Sequence, residues 1–123
     1  MFSIIIPTFN NLEYLKFCIN SIKKNSKFNT HEIIPHVNDG SDGTLEYLKN
    51  NNFSYTHTKE NSGICKGMNM AAKKSSFEYI LYAHDDFYFC PEWDLILKKE
   101  IDLIGHNNFY LSGTMVNNGQ IQF

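Results

Sequence analysis

The feature that most constrains the fold is a repeated alternation between short β-branched runs and segments with helical periodicity. The first run, Phe2 to Ile6, is closed by Pro7 and predicts a buried strand. Aliphatic residues then recur at i, i+3, i+7 and i+10 from Leu12 to Ile22, which places them on one face of a helix. Because strand and helix keep alternating along the chain, we expect βαβ units and a single α/β domain over residues 1–123, with a mainly parallel sheet flanked by helices.

The remaining elements follow from the same patterns. Further strands are predicted at 32–37, 53–58, 77–83 and 108–116, and further helices at 45–50 and 91–104. The segment 60–76 begins with a turn and is predicted to continue as a helix to about Lys74. The runs 4–6, 33–37 and 79–83 are the expected buried inner strands. Pro35 lacks the amide that a central strand needs, so we expect a bulge or a locally open edge there. Asn10 or Asn11 is the expected cap of the first helix, and Asp94 is expected at the surface.

The charge pattern excludes some classes of ligand and partner. A formal net charge of −2 argues against a nucleic-acid partner bound by bulk electrostatics. All 11 basic residues are lysines, so the bidentate guanidinium recognition of phosphate is excluded. An anionic ligand would therefore be bound by lysine, backbone amides or a metal ion.

The cysteines and histidines show no pattern typical of a metal cage. Cys18, Cys65 and Cys90 form no C-x-x-C pair, and their odd number favours reduced thiols. The five histidines are scattered, which disfavours a zinc site. No run approaches the ~18 apolar residues of a transmembrane segment, and the opening residues lack the basic region of a secretory signal. We therefore expect a cytoplasmic protein.

Polar and acidic residues follow each of the first four predicted strands. They are Pro7-Thr8-Phe9-Asn10, Asn38-Asp39-Gly40-Ser41-Asp42, Asn61-Ser62-Gly63 and His84-Asp85-Asp86. In open parallel sheets, ligands bind beyond the carboxyl ends of the strands, so this pattern predicts a binding cleft. Adjacent carboxylates without arginine suit a hard divalent cation that also binds phosphate oxygens. The alternative is that Asp85 and Asp86 lie in a solvated loop before the last helix.

The same segments resemble a known family. "SIIIPTFNNLEYLKFCINSIKKN", "VNDGSDGTLEYLKNN", "ENSGICKGMN" and "YILYAHDDFYFCPEW" occur in the order and at the intervals of glycosyltransferase family 2 enzymes. The resemblance covers residues 3 to about 116. It implies the Rossmann-like GT-A fold and a glycosyltransferase, similar to hexosyltransferases, that uses a nucleotide-diphosphate-sugar donor with Mg²⁺ or Mn²⁺.

The resemblance also implies roles for individual residues. Pro7, Thr8 and Asn10 lie at the nucleotide-binding loop, although helix capping is the favoured role of Asn10. Asp39 matches the acidic residue that binds the base, usually uracil, so the donor is expected to be a UDP-sugar.

The segment His84-Asp85-Asp86 takes the place of the family's Asp-x-Asp motif. Asp86 would hold the metal, and Asp85 would contact the ribose, the metal or its waters. His84, which replaces the usual first acid, is a further candidate metal ligand.

The chain departs from the family pattern at several other positions. Asn38 stands where many members have aspartate, and "GSDGT" is one residue shorter than the common "GSTDGT". Lys66 is a candidate diphosphate contact, with a solvated helix lysine as the alternative. Gly63 and Gly67 would let the backbone approach the ligand, or would simply permit a tight turn.

The family's catalytic base lies beyond the position of Phe123, so no catalytic residue is assigned. We expect the chain to be the nucleotide-sugar-binding half of a GT-A domain, cut short at its C-terminus. Two alternatives are a module that binds a nucleotide sugar without turnover, and a nucleotidyltransferase. The second is disfavoured because the glycine-rich, basic loop of that class is missing after the first strand. The sugar, the acceptor, which is a saccharide, lipid or protein, and the linkage are not encoded in these motifs.

Overall fold

Strands and helices alternate along the chain as the sequence predicts. The computed structural model describes residues 1–113 and the backbone of 115–117 and 120–122. The strands are β1 (Phe2–Phe9), β2 (Glu32–Asn38), β3 (Thr56–Thr58), β4 (Tyr79–Tyr82), β5 (Met115–Asn117) and β6 (Gln120–Gln122). The helices are α1 (Leu12–Asn25), α2 (Thr44–Asn50), α3 (Ile64–Ala72) and α4 (Trp93–Ile104).

Four strands form a parallel sheet in the order β3-β2-β1-β4. The expected parallel α/β architecture is therefore confirmed. Strands β5 and β6 pair with each other, antiparallel, in a separate two-stranded sheet. Because β1 lies between β2 and β4, the loops that follow these three strands come together at one edge of the sheet.

The two faces of the sheet are covered unequally. Phe2, Ile4 and Ile6 of β1 point to the face covered by α1, α2 and α4, where the larger core cluster lies. Ile5 of β1 points to the opposite face, where it packs in a smaller cluster that includes Ala71 of α3. Successive side chains of β1 point to opposite faces of the sheet, and both sets are buried. This explains why the sequence of β1 is a continuous apolar run.

The expectation that 79–83 forms a buried inner strand is wrong. β4 is an edge strand among the strands described, and its Ile80 is 50% exposed. The cause is the position of α3, which contacts β1, β2 and β3: on that face of β4, Tyr82 still packs against the smaller cluster, but Ile80 is left uncovered. The strand expected at 108–116 is also wrong over residues 108–113, which form neither helix nor strand.

Pro35 causes no bulge in β2. Its pairing with β1 is unbroken from Glu32 to Asn38, whereas β3 begins to pair only at His36. The side of β2 that faces β3 is therefore unpaired at Pro35, so the missing amide is tolerated there. Of the two predicted alternatives, a bulge and a locally open edge, the open edge is the one observed.

Asp94 is fully buried, so its expected place at the surface is wrong. Its carboxylate accepts hydrogen bonds from the backbone N–H groups of Lys27, Phe28 and Leu95 and lies 2.9 Å from Nε2 of His31. A carboxylate with this many donors can be buried at little net cost. Asp94 thereby joins the start of α4 to the segment between α1 and β2.

No helix in the part of the chain that the structure describes is both long enough and apolar enough to span a membrane.

Candidate functional site

The end of β1 is joined to the loop that follows β4. The hydroxyl Oγ1 of Thr8 donates to Oδ2 of Asp85 at 2.6 Å, across 77 positions of sequence. Thr8 is only 3% exposed, and Asp85 is half-buried. Pro7 is buried inside β1 beside His36 of β2. The sheet therefore fixes one of the two adjacent carboxylates against the end of its central strand.

A second polar cluster joins β1 to the loop after β2. Asn10 Nδ2 donates to Oδ2 of Asp39 at 3.0 Å, and Asn10 Oδ1 accepts the backbone N–H of Gly40 at 3.0 Å. The hydroxyl of Ser41 also donates to Asp39 Oδ2, at 3.1 Å. Both Asn10 (φ 45°) and Asp39 (φ 60°) have left-handed backbones, an uncommon conformation that persists where the surroundings hold it and that recurs at binding sites.

Asp42, in the polar segment that follows β2, caps two helices. Its carboxylate accepts the N–H of Leu12 at 2.9 Å at the start of α1, and the N–H and hydroxyl of Thr44 at the start of α2. Burial opposes ionisation, but these hydrogen bonds outweigh it and lower the pKa of Asp42. Asn11 occupies the N-cap position of α1, as one of the two alternatives predicted, but its side chain makes no capping hydrogen bond, and Asp42 supplies that bond instead.

The loop after β3 is organised by Asn38, which is 3% exposed. Its Oδ1 accepts the hydroxyl of Thr58 at 3.0 Å and both the N–H and the hydroxyl of Ser62, at 2.8 and 3.0 Å. Asn38 thus holds the residues before α3 against the end of β2. His57 Nε2 lies 2.8 Å from the carbonyl oxygen of Asp39 and fixes that backbone from the β3 side.

Gly67 serves helix packing. A Cβ atom at this position would lie 2.5 Å from Cδ2 of His36, so only glycine lets α3 approach β2 this closely. His36 is fully buried there, and burial lowers the pKa of its imidazole. The two predicted roles of Gly67 are approach of the backbone to a ligand and a tight turn; in the structure Gly67 lies inside α3 and faces the core side chain of His36.

Gly63 and Lys66 lie at the start of α3. Gly63 has φ +80° and open space around it, and Lys66 is exposed in the first turn of the helix. Neither makes a described hydrogen bond to Asp39 or Asp85. The structure therefore brings together Thr8 with Asp85 and Asn10 with Asp39, whereas within residues 1–113 Gly63 and Lys66, on the α3 side, are hydrogen-bonded to neither pair.

Asp86 and His84, the two neighbours of Asp85, differ in exposure and in contacts. Asp86 is exposed, and its carboxylate accepts no hydrogen bond from residues 1–113. His84 is half-buried, with Nε2 2.8 Å from the hydroxyl of Tyr82 and its ring against Phe87. The ring nitrogen Nε2 is therefore engaged, which leaves Asp86 as the carboxylate most open to an incoming ligand.

Cys18 of α1 lies beneath these carboxylates. Its thiol is 3.5 Å from the carbonyl oxygen of His84. Burial, together with the negative charges of Asp85 and Asp86, raises the pKa of Cys18 to about 12. The thiol is therefore protonated and unreactive.

The oxygen donors at this edge fit a hard divalent cation only in part. Within residues 1–113, no group of three or more His, Cys, Asp or Glu side chains converges as a metal cage would. Asp86 and Asp85 supply one or two carboxylates, and such sites in proteins complete the shell of Mg²⁺ with water and substrate phosphate. The donor set thus fits a cation that arrives with a diphosphate.

Comparisons with known proteins agree with the geometry. Residues 3–120 match the family model described as Glycosyl transferase family 2. An uncharacterized glycosyltransferase of Rickettsia bellii is 32% identical over 91% of this chain and 16% of its own length. One of Rickettsia conorii is 34% identical over 83% of this chain and 17% of its own length.

Solved structures show the same fold. Residues 1–349 of S. aureus TarS in complex with UDP superpose with a TM-score of 0.72 at 25% identity, over 95% of this chain and 39% of that one. Its complex with UDP-GlcNAc superposes with a TM-score of 0.70 at 22% identity, over 95% and 38%. The chain thus spans about a sixth of the length of these curated relatives and under half of the solved chains.

Proposed function

The chain belongs to glycosyl transferase family 2 and has the α/β architecture of its GT-A fold, and from that premise we propose that it binds a UDP-sugar donor with a divalent cation for transfer of the sugar. The observation that carries this proposal is the pair of clusters at one sheet edge, Thr8 with Asp85 and Asn10 with Asp39. Asp39 offers a carboxylate for the base. Asp85 and its neighbour Asp86 offer carboxylates for the ribose and the cation.

Asp39 is suited to binding uracil. Both described hydrogen bonds to its carboxylate, from Asn10 and Ser41, end on Oδ2. Within residues 1–113, Oδ1 accepts no hydrogen bond, so it is open to a donor. The N3–H of uracil is such a donor, whereas N3 of cytosine is an acceptor that a carboxylate repels. UDP should therefore be preferred over CDP.

Calorimetric titration of UDP in the presence of Mn²⁺ tests this assignment. Asp39→Ala should weaken UDP binding at least about ten-fold, because a hydrogen bond to a charged group contributes ~1.5–3 kcal/mol. Asp102→Ala, which removes an exposed carboxylate from α4, is the matched control and should bind UDP normally. An unchanged dissociation constant for Asp39→Ala would remove Asp39 from the site.

Negative charge at the edge requires a cation when the diphosphate binds. A pair of like charges ~4 Å apart costs about 4 kcal/mol at an effective dielectric constant of ~20, and the chain has no arginine. When bound, Mg²⁺ or Mn²⁺ would neutralise the diphosphate and stabilise the negative charge that develops on the departing UDP. Asp86 would hold the cation, and Asp85, fixed by Thr8, would orient the ribose or the cation's waters.

The cation dependence is tested by comparing UDP affinity with Mn²⁺ and with EDTA. Asp86→Asn preserves the shape but removes the charge, so it should abolish the part of the affinity that Mn²⁺ provides. Asp85→Asn should have a smaller effect, and Asp102→Asn should have none. Equal affinities of the original protein in the two buffers would mean that His84-Asp85-Asp86 is only a surface loop.

Two alternatives make different predictions. A module that binds the nucleotide sugar without turnover would show the same metal-dependent affinity but no hydrolysis or transfer of the sugar. A nucleotidyltransferase would release pyrophosphate from a nucleoside triphosphate. Incubating the protein separately with UDP-GlcNAc and with UTP, and measuring free sugar and pyrophosphate, separates the three. We expect sugar release, or binding alone, and no pyrophosphate.

A further inference from the structure

One face of α1 is bonded to the loop that carries the two acids. We call residues 83–92, between β4 and α4, the carboxylate loop. Three polar side chains of α1, spaced i, i+3 and i+7, contact it in turn: Cys18 at the carbonyl of His84, Ser21 at Phe89 and Asn25 at Phe89. This spacing places all three on one helix face.

Ser21 is 3% exposed and uses both functions of its hydroxyl. The hydroxyl donates to the carbonyl oxygen of Cys18 at 2.7 Å and accepts the backbone N–H of Phe89 at 3.0 Å. Its orientation is therefore fixed by the helix on one side and by the loop on the other. No solvent or substrate role is left for this buried hydroxyl.

Asn25, the last residue of α1, completes the attachment. Its Nδ2 donates to the carbonyl oxygen of Phe89 at 2.6 Å and to the hydroxyl of Tyr88 at 3.2 Å. Its own carbonyl oxygen accepts the N–H of Glu92 at 2.8 Å. Together with Ser21, it fixes both backbone polar groups of Phe89.

The attachment limits the freedom of the acids. Upstream, the N–H of Ala83 donates to the carbonyl oxygen of Ile5 at 3.1 Å, which extends the sheet pairing by one residue. Downstream, Phe89 is held by α1. Residues 84–88 therefore span between these two attachments, with Thr8 holding Asp85 between them, and a shorter tether leaves the Asp85 and Asp86 carboxylates fewer conformations to lose on binding.

We propose that Ser21 and Asn25 are positioning residues of the metal–diphosphate site, which hold the carboxylate loop so that Asp85 and Asp86 are preordered for the cation. This inference rests on the proposed function. It predicts an effect on affinity although neither residue contacts the nucleotide. A protein whose binding-competent loop is populated only in part binds with an apparent affinity reduced by that fraction.

The test measures UDP affinity by calorimetry with Mn²⁺ and with EDTA, for Ser21→Ala and Asn25→Ala. Asn20→Ala is the matched control, since Asn20 is an exposed asparagine of the same helix. With Mn²⁺, each of the two variants should bind UDP about five-fold more weakly than the original protein, because each loses hydrogen bonds of ordinary strength. In EDTA their affinities should equal that of the original protein, and Asn20→Ala should be unchanged in both buffers.

The two buffers separate positioning from general destabilisation. A merely structural role would weaken UDP binding equally with Mn²⁺ and with EDTA, and that result, or no loss in either buffer, would overturn the inference. Deuterium exchange gives a second measurement, because the amides of residues 84–90 should exchange faster in both variants, and unchanged exchange would also overturn the inference. If the original protein shows no Mn²⁺-dependent UDP binding, the proposed function fails, which is a different outcome from a failed positioning role.

Discussion

Replacing Asp94 by asparagine should destabilise the protein strongly, although the change preserves shape and lies away from the candidate site. Asp94 is fully buried at the start of α4. Both of its oxygens lie 2.9 Å from the N–H of Lys27, and Oδ2 accepts the N–H of Phe28 at 2.7 Å. Oδ1 also accepts the N–H of Leu95 at 2.9 Å.

The fourth partner of this carboxylate is His31, whose side chain is 4% exposed. Nδ1 of His31 accepts the backbone N–H of Phe2 at 3.2 Å, so the proton of the neutral ring is on Nε2. Nε2 then donates to Oδ2 of Asp94 at 2.9 Å. One buried carboxylate thus connects α4, the segment after α1 and the beginning of β1.

The loss of stability expected for Asp94→Asn follows from the number of donors that Asp94 accepts. Asparagine offers one acceptor oxygen, and its amide nitrogen would face N–H groups on the other side, so at least one buried donor loses its partner. Each such loss costs ~1–3 kcal/mol, and the cost lies at the upper end of that range where the lost acceptor is charged. We expect a loss of about 3 kcal/mol in the free energy of unfolding, equivalent to a fall in Tm of about 10 °C for a domain of this size.

The effect should also depend on pH in a defined direction. Burial opposes ionisation of Asp94, but the hydrogen bonds from His31 and the three amides outweigh it, so its pKa is lowered in the folded protein. A carboxyl whose folded pKa lies below its unfolded value of ~3.9 contributes stability that is complete above ~3.9 and is lost as the pH falls through the folded pKa. The difference between original and variant should therefore be constant from pH 7 to 5 and shrink below about pH 4.

Urea denaturation at pH 7, 5 and 3.5 measures these free energies. Asp102→Asn, on the exposed side of α4, is the matched control and should change stability by less than about 0.5 kcal/mol, since its pair with Lys98 is at the surface. If Asp94→Asn lowers the free energy of unfolding no more than this control does, the reasoning is refuted. The backbone N–H groups around residue 94 would then not need a charged acceptor.

Two further predictions concern packing and thiol reactivity. Gly67→Ala should destabilise the protein by ~1–3 kcal/mol in urea denaturation, because the added Cβ would lie 2.5 Å from the buried ring of His36. The control is Gly113→Ala, because Gly113 has open space around it. Equal stabilities of the two variants would contradict the packing argument. Cys18, with its pKa raised to about 12 by burial and the nearby acids, should resist a thiol reagent at pH 8 in the folded protein while the two exposed cysteines react. Detection of three rapidly reacting thiols in the folded protein would contradict the predicted protection of Cys18.

Periodicity and strand endings in the sequence were sufficient for the architecture and for the edge at which the site lies. Apolar β-branched runs alternate with helical faces, so the parallel sheet follows from local pattern. Polar residues such as Thr8, Asp39 and Asp85 lie at or just after the ends of strands, so the pattern of the chain predicts that they share one edge of the sheet. The order of four motifs was also enough for the family. These properties are local in the chain, and a single sequence records them.

Only the tertiary structure decided which side chains are buried and what they bond. Asp94, expected at the surface, is buried because its donors come from residues 63 to 67 positions away. Ser21 and Asn25 show their role only when the loop at Phe89, 64 to 68 positions later, is laid against α1. A polar residue on a helix face gives the same sequence pattern whether it meets water or a distant amide, since the free energy of burial depends on the neighbours that folding brings to it.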